Sequence, residues 1–196
     1  MKRTCVLLVA ASLIGSATVR AQKAPQAAQM MDELMFGRGP IGGRFTLTDQ
    51  DGKRRSDGEF RGKLRIVYFG YTFCPDICPT DLMAITQALD ALGPKAADIQ
   101  PIFISIDPER DTSVMGEYLR AFHPSFIGLT GSPDEIKKVA DAYKAFYRKV
   151  DDGRGGYTID HSGVIYLMGR NGEYLGFMPP QTAPERLAEI LRKYID

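Results

Sequence analysis

The sequence predicts an α/β fold in which a central mixed sheet is flanked by helices. Three observations predict it. Leu64, Ile66, Val67, Tyr68 and Phe69 form a short apolar run rich in β-formers, of the kind that suits a strand buried on both faces. Segments of helical period alternate with further apolar runs, which implies a parallel core to the sheet. Near the C-terminus, Asn171-Gly172 sits between two strand-like runs and signals a hairpin, so part of the sheet is antiparallel.

Taken in order, Arg44 to Leu47, the turn residues Asp49-Gln50-Asp51-Gly52 and then Lys53 to Ser56 read as an N-terminal β-hairpin extension. The Leu64 strand ends at Gly70. Pro75 and Pro79 fit the opening turns of a helix, where a missing N–H costs little, and Ile77, Leu82, Ile85, Leu89 and Leu92 give that helix an apolar face. Gly93-Pro94 stops it, and Ile99 to Ile106 is a second buried strand. Asp107 and Arg110 belong to a turn that buttresses the fold, after which Asp111 or Thr112 caps a helix reaching Phe122. His123 follows, placed to meet the free carbonyls of that helix. Phe126 to Leu129 is a short strand, and Ser132-Pro133-Asp134-Glu135 opens a helix with Ile136, Val139, Ala140, Tyr143 and Phe146 on one face. Lys149 to Gly156 reads as a polar, glycine-rich loop and Tyr157 to Met168 as one strand carrying His161. Glu173 to Met178 returns antiparallel, and Thr182 caps a last helix with Leu187, Ile190, Leu191 and Tyr194 buried.

With 196 residues, 44% hydrophobic and 25% charged, the chain has enough core to fold without disulfide staples, and one domain is expected over residues 41–196. A net charge of +1 with no basic cluster argues against nucleic acid, whose binding rests on neutralising phosphates. Lys2 and Arg3, an apolar run from Cys5 to Ile14, and Val19-Arg20-Ala21 read as a signal peptide over residues 1–21, with an uncleaved anchor as the alternative. That address implies the periplasm, either soluble after cleavage or tethered to the inner membrane. Residues 22–40 read as a tether or short helix, and its Met30, Met31 and Met35 are thioethers of the kind that bind Cu(I) as well as pack.

Removing the leader removes Cys5 and leaves Cys74 and Cys78, where a strand hands over to a helix N-terminus. Unpaired N–H groups and the positive end of the helix dipole favour thiolate there. Read as neighbours one helical turn apart, the cysteines have Cβ atoms ~5–6 Å apart, wider than the ~3.8 Å of a relaxed disulfide. A single metal ion bridges such a pair more easily, and two soft thiolates select Cu(I), Zn or an iron–sulfur site. A further ligand must come from elsewhere. A permanent structural disulfide is the bland alternative.

FGYTFCPDICPTDL, SIDPERDT, FIGLTGS and DHSGVIYLM followed by NGEYLGF occur in that order, and together they resemble the SCO/SenC family, thioredoxin-like copper proteins of cytochrome oxidase assembly. The resemblance runs from about Gly42 to the C-terminal helix. It implies a thioredoxin-like fold and a copper site made by Cys74, Cys78 and His161, since both cysteines and the histidine of the DHS block are present. Two thiolates and an imidazole suit Cu(I) and also admit Cu(II). Asp76, between the cysteines, and Asp160, beside His161, are candidates for tuning the site from behind its ligands or are simply solvated. The implied function is a metallochaperone without turnover, delivering copper to the binuclear centre of cytochrome c oxidase subunit II or to another cuproprotein. Its implied partners include a copper donor chaperone and a thioredoxin-like reductant. The alternative is a thiol:disulfide oxidoreductase, with Cys74 and Cys78 as a redox-active disulfide, that reduces oxidase cysteines or serves redox sensing or antioxidant defence. Because His161 follows the glycine-rich loop, it is expected to be mobile without metal and to close over the cysteines.

Overall fold

A computed structural model describes residues 40–195. The leader reading (1–21), the tether and its three methionines lie outside the described residues. The sheet has seven strands: β1 (Thr46–Asp49), β2 (Arg54–Ser56), β3 (Leu64–Gly70), β4 (Ile99–Ser105), β5 (Ile127–Thr130), β8 (Ile165–Met168) and β9 (Tyr174–Met178). Their spatial order is β2-β1-β5-β4-β3-β8-β9. β3, β4 and β5 are parallel, and both flanks of this core are antiparallel. The sheet is therefore mixed, as the alternation of elements and the terminal hairpin imply.

Both central strands, β3 and β4, are buried at all seven positions, which explains why neither shows an apolar–polar alternation. The two faces of β3 are covered by different helices. α1 (Ile77–Leu92) lies on the Tyr68 side, where Tyr68 meets Asp81, and α5 (Pro184–Ile195) packs against α1. On the other side Phe69 meets Tyr143 of α4 (Pro133–Tyr143), with ring centroids 5.4 Å apart. α4 opens on a capping box, in which the Ser132 hydroxyl accepts from the Glu135 N–H and the Glu135 carboxylate accepts from the Ser132 N–H.

Several local expectations differ from what is found. The helix expected from Asp111 to Phe122 is two short pieces, α2 (Pro108–Asp111) and α3 (Met115–Arg120). The Asp111 carboxylate does not cap the second piece. It is drawn inward to accept from Thr72 N–H, Thr72 Oγ1 and Ser105 Oγ. α4 stops at a left-handed Lys144, so Phe146 lies beyond the helix and is 56% exposed instead of joining its buried face. Tyr194 is also exposed, on the last turn of α5. Thr182 donates its hydroxyl to the Pro179 carbonyl instead of capping α5, which begins at Pro184.

The segment before β8 departs furthest from the reading. Lys149 to Asp151 are not loop but part of β6 (Tyr147–Asp151), which pairs antiparallel with β7 (Tyr157–His161) in a separate two-stranded ribbon. Only the tip is open, and there Asp152 accepts from the Arg154 and Gly156 N–H groups. The single strand expected from Tyr157 to Met168 is broken after His161. Gly163 has φ +60°, and a Cβ there would come within 2.8 Å of Ile77, so the chain turns sharply against the start of α1.

Candidate metal centre

Parallel strands deliver their C-terminal ends to one edge of the sheet, the place where open α/β folds bind ligands. β3 ends there at Gly70 and β4 at Ser105. After Gly70 the chain makes a turn in which the Cys74 N–H donates to the Tyr71 carbonyl, and α1 then starts at Ile77. Cys78 is thus in the first turn of the helix and fully buried, whereas Cys74 precedes the helix and is half-buried. The assumption of two cysteines one helical turn apart therefore does not hold, because the turn, not the helix, sets their separation. Both are free thiols.

His161 ends β7, 83 residues from Cys78 in sequence, yet its Nε2 lies 3.3 Å from Cys78 Sγ and 3.9 Å from Cys74 Sγ. All three ligand atoms fall within 4.8 Å of one another. The imidazole is held from several directions. Its Nδ1 accepts from the Gly163 N–H, and its ring is edge-on to Tyr71 at 5.8 Å and to Tyr68 at 6.3 Å. In the neutral ring an accepting Nδ1 places the hydrogen on Nε2, which faces the sulfurs as a donor; holding a metal at Nε2 requires that this hydrogen leave or move to Nδ1.

The expected mobility of His161 also meets a structured surrounding. Tyr71 accepts from the Ile159 N–H, tying β7 to the end of β3. The Tyr157 hydroxyl donates to Asp107, and the Arg110 guanidinium lies 3.8 Å from the Tyr157 ring centroid while donating to Asp107 and to the Tyr157 carbonyl. Lys149 pairs with Glu109 at 2.7 Å. Asp107 is fully buried, so the SIDPER turn is a buttress, as expected, and what it holds is the outer end of the histidine ribbon, where Tyr157 pairs with Asp151.

The two sulfurs have unlike environments. Cys74 is held well below the ordinary thiol range, first by a hydrogen bond from Cys78, against the opposing effect of burial, and further by His161 and the backbone N–H groups of Asp76 and Cys78. Cys78 is pushed up by its coupling to Cys74 and by burial. The amides at the start of the helix add to the thiolate character of Cys74, in the direction the sequence suggested, but they rank behind the hydrogen bonds from Cys78 and His161.

The remaining sequence candidates fall outside this cluster. Asp76 is exposed and makes no capping hydrogen bond; it contributes through its backbone N–H. Asp160 faces away from the imidazole and pairs with Arg148 at 3.0 Å. His123 bonds Ser125 and not the helix carbonyls. Residues that sequence reasoning passed over lie beneath the site instead. Asp81, on α1, is fully buried and accepts from the Tyr68 hydroxyl at 3.0 Å. The signal was Tyr68 itself, since a tyrosine in a strand buried on both faces needs a partner for its hydroxyl.

A donor set of two sulfurs and one imidazole nitrogen fits a soft or borderline ion such as Cu(I), and with three ligands it leaves a position open. It does not fit a cluster that needs four cysteines.

A family model described as SCO1/SenC matches residues 35–196. The chain is 46% identical over 155 residues to a SCO2-like protein of Rickettsia felis, an alignment covering 78% of this chain and 76% of that one. Among solved structures it is similar to Bradyrhizobium japonicum ScoI with copper bound, at 46% identity and a TM-score of 0.71, over 79% of this chain and 99% of that one. Arabidopsis thaliana ScoI with copper bound is similar at 43% identity and a TM-score of 0.73, over 79% and 98%.

Proposed function

The chain belongs to the SCO1/SenC family, and from that premise we propose that it is a copper metallochaperone whose cargo is held by Cys74, Cys78 and His161. The single observation that carries this reading is the convergence of two sulfurs and an imidazole nitrogen within 4.8 Å, on elements far apart in sequence. A purely structural cysteine pair has no need of a histidine aimed between its sulfurs, whereas a three-ligand site for Cu(I) does. The copper-bound relatives of similar fold support the choice of metal.

In this reading the acceptor is a cuproprotein of cytochrome c oxidase assembly, with the binuclear copper centre of subunit II as the destination. The partly exposed Cys74 is the edge at which an acceptor thiol reaches the cargo, while Cys78 stays buried. A trigonal site leaves room for the incoming ligand, so exchange can proceed without first releasing the metal. The sequence pattern that reads as a leader or anchor over residues 1–21 supports a periplasmic location, soluble or tethered. The test is copper stoichiometry of the purified protein, wild type against His161→Ala, with transfer to a purified copper-free subunit II domain. One copper per chain that moves to the acceptor is the expected result. Failure to bind copper at micromolar concentration would overturn the reading.

A second reading, thiol:disulfide exchange, is favoured by one observation, the asymmetry of the two cysteines. A partly exposed cysteine of thiolate character beside a fully buried thiol is the arrangement of an attacking and a resolving cysteine. Insulin reduction by the metal-free protein separates the two readings, because the chaperone reading expects none above the rate of a simple dithiol.

A further inference from the structure

Among the described residues, the buried carboxyl of Asp81 has no counter-charge within hydrogen-bonding distance. Its Oδ2 accepts from the Tyr68 hydroxyl and its Oδ1 from the backbone N–H of Gln181 at 2.6 Å. Gln181 itself is in the left-handed region at φ +59°, unusual for a residue with a side chain, so the chain adopts an uncommon conformation where it reaches Asp81. A carboxyl that is 0% exposed with two donors and no cation is costly, and α1 could bury an apolar residue there at less expense. What it touches gives it a use. Tyr68 lies against both the imidazole and Cys78: its ring is edge-on to His161, and a Cβ at Gly70 would come within 2.9 Å of the Tyr68 ring and 2.8 Å of Cys78 Sγ at once.

A phenol has one hydrogen to donate. Tyr68 has two acceptors within reach, the Asp81 carboxylate at 3.0 Å and the sulfur of Cys78, and the carboxylate, as the stronger acceptor, takes the hydrogen. A hydrogen bond donated to a metal-bound thiolate withdraws electron density from sulfur and alters both metal affinity and potential. We propose that Asp81 is a positioning residue that fixes the polarity of the Tyr68 hydroxyl, keeping its hydrogen off Cys78 so that this sulfur donates fully to the bound metal. Asp81 touches neither the metal nor its ligands; it acts through Tyr68. The inference rests on the metallochaperone reading for its consequence at copper, although the hydrogen-bond arrangement exists without the metal.

The test is a double-mutant cycle with Asp81→Asn and Tyr68→Phe. In Asp81→Asn the amide oxygen continues to accept from Gln181 N–H, so the amide NH2 must face Tyr68 and donate to its oxygen. The Tyr68 hydrogen is then released toward Cys78. The thiolate-to-Cu(II) charge-transfer band should move to higher energy, and the Cys74–Cys78 disulfide midpoint of the metal-free protein, measured in a dithiothreitol redox buffer, should rise, because the reduced sulfur is now stabilised. Neither shift should survive in the Tyr68→Phe/Asp81→Asn double variant, which has no hydroxyl. Shifts of equal size with and without the hydroxyl, or no shift in Asp81→Asn, would overturn the proposal. Asp81→Ala frees the hydroxyl in the same direction and replaces Asp81→Asn in the cycle if that variant does not fold. The midpoint needs no copper, so a protein that fails to bind copper still decides the role of Asp81.

Discussion

Gly70 and Cys78 are packed so closely that a Cβ on Gly70 would lie 2.8 Å from the Cys78 sulfur and 2.9 Å from Phe103. The last residue of β3 is therefore a glycine for reasons of space and not of backbone conformation. Gly70→Ala must displace the sulfur, the Tyr68 ring or β4, all of them in the tightly packed centre of the sheet. The expected outcome is a loss of ~1–3 kcal/mol of stability, typical of overpacking. Copper binding should weaken further than that instability explains, because the first thing displaced is a ligand. Urea unfolding and copper titration of the same variant check both parts, and unchanged copper affinity would show that the helix can retreat without disturbing the site.

His161→Ala separates the two oxidation states of copper. Two thiolates still satisfy the soft Cu(I), whereas Cu(II) loses its one imidazole. Affinity for Cu(II) should fall by at least about tenfold more than that for Cu(I), a difference of ~1.4 kcal/mol or greater. Competition titrations with a chelator for each ion measure it. Equal losses would mean that His161 is not a ligand of unequal importance to the two ions.

The strand-to-helix junction was legible because everything that makes it is local: an apolar run buried on both faces, Gly70, and two prolines at helix-compatible positions. The approach of His161 was not legible from its own neighbourhood. Ser162-Gly163 is a local turn signal inside Tyr157 to Met168, but it does not show that the left-handed glycine packs against Ile77 and Pro180, which are distant in sequence. Only the resemblance of the DHS block placed that histidine with the cysteines. Asp111 read as a cap and Asp81 drew no reading at all, since an aspartate is mostly exposed. Both are buried because Thr72, Ser105, Tyr68 and Gln181 supply donors that a one-dimensional pattern does not reveal.

The metal-free cysteines should differ in reactivity. Cys74 is half-buried with thiolate character and Cys78 has no exposed surface, so iodoacetamide at pH 7 should modify Cys74 first. Timed alkylation with peptide mass analysis gives the order. Modification of Cys78 at the same rate would show that the first turn of α1 opens readily, and the site would then have no fixed floor.

The ribbon that carries His161 should be ordered before any metal arrives. An open glycine-rich loop would leave the histidine free to swing, but β6 and β7 are paired from Tyr147–His161 to Asp151–Tyr157. Their outer end is fastened by the Tyr157 hydroxyl to Asp107 and by Arg110, and β7 is also tied through Ile159 to Tyr71. Hydrogen exchange of the metal-free protein should therefore show protection at the β7 amides that β6 or Tyr71 occupies, with exchange fastest at the 152–156 tip. Tyr157→Phe removes the hydroxyl that fastens the ribbon and leaves the ring under Arg110. It should raise exchange along Tyr157–His161 without changing it in β3 or β4, and should lower copper affinity by less than His161→Ala does. Low protection of β7 in the metal-free wild type, rising on copper loading, would instead make the histidine arm a lid that the metal closes, and Tyr157→Phe would then have little left to loosen.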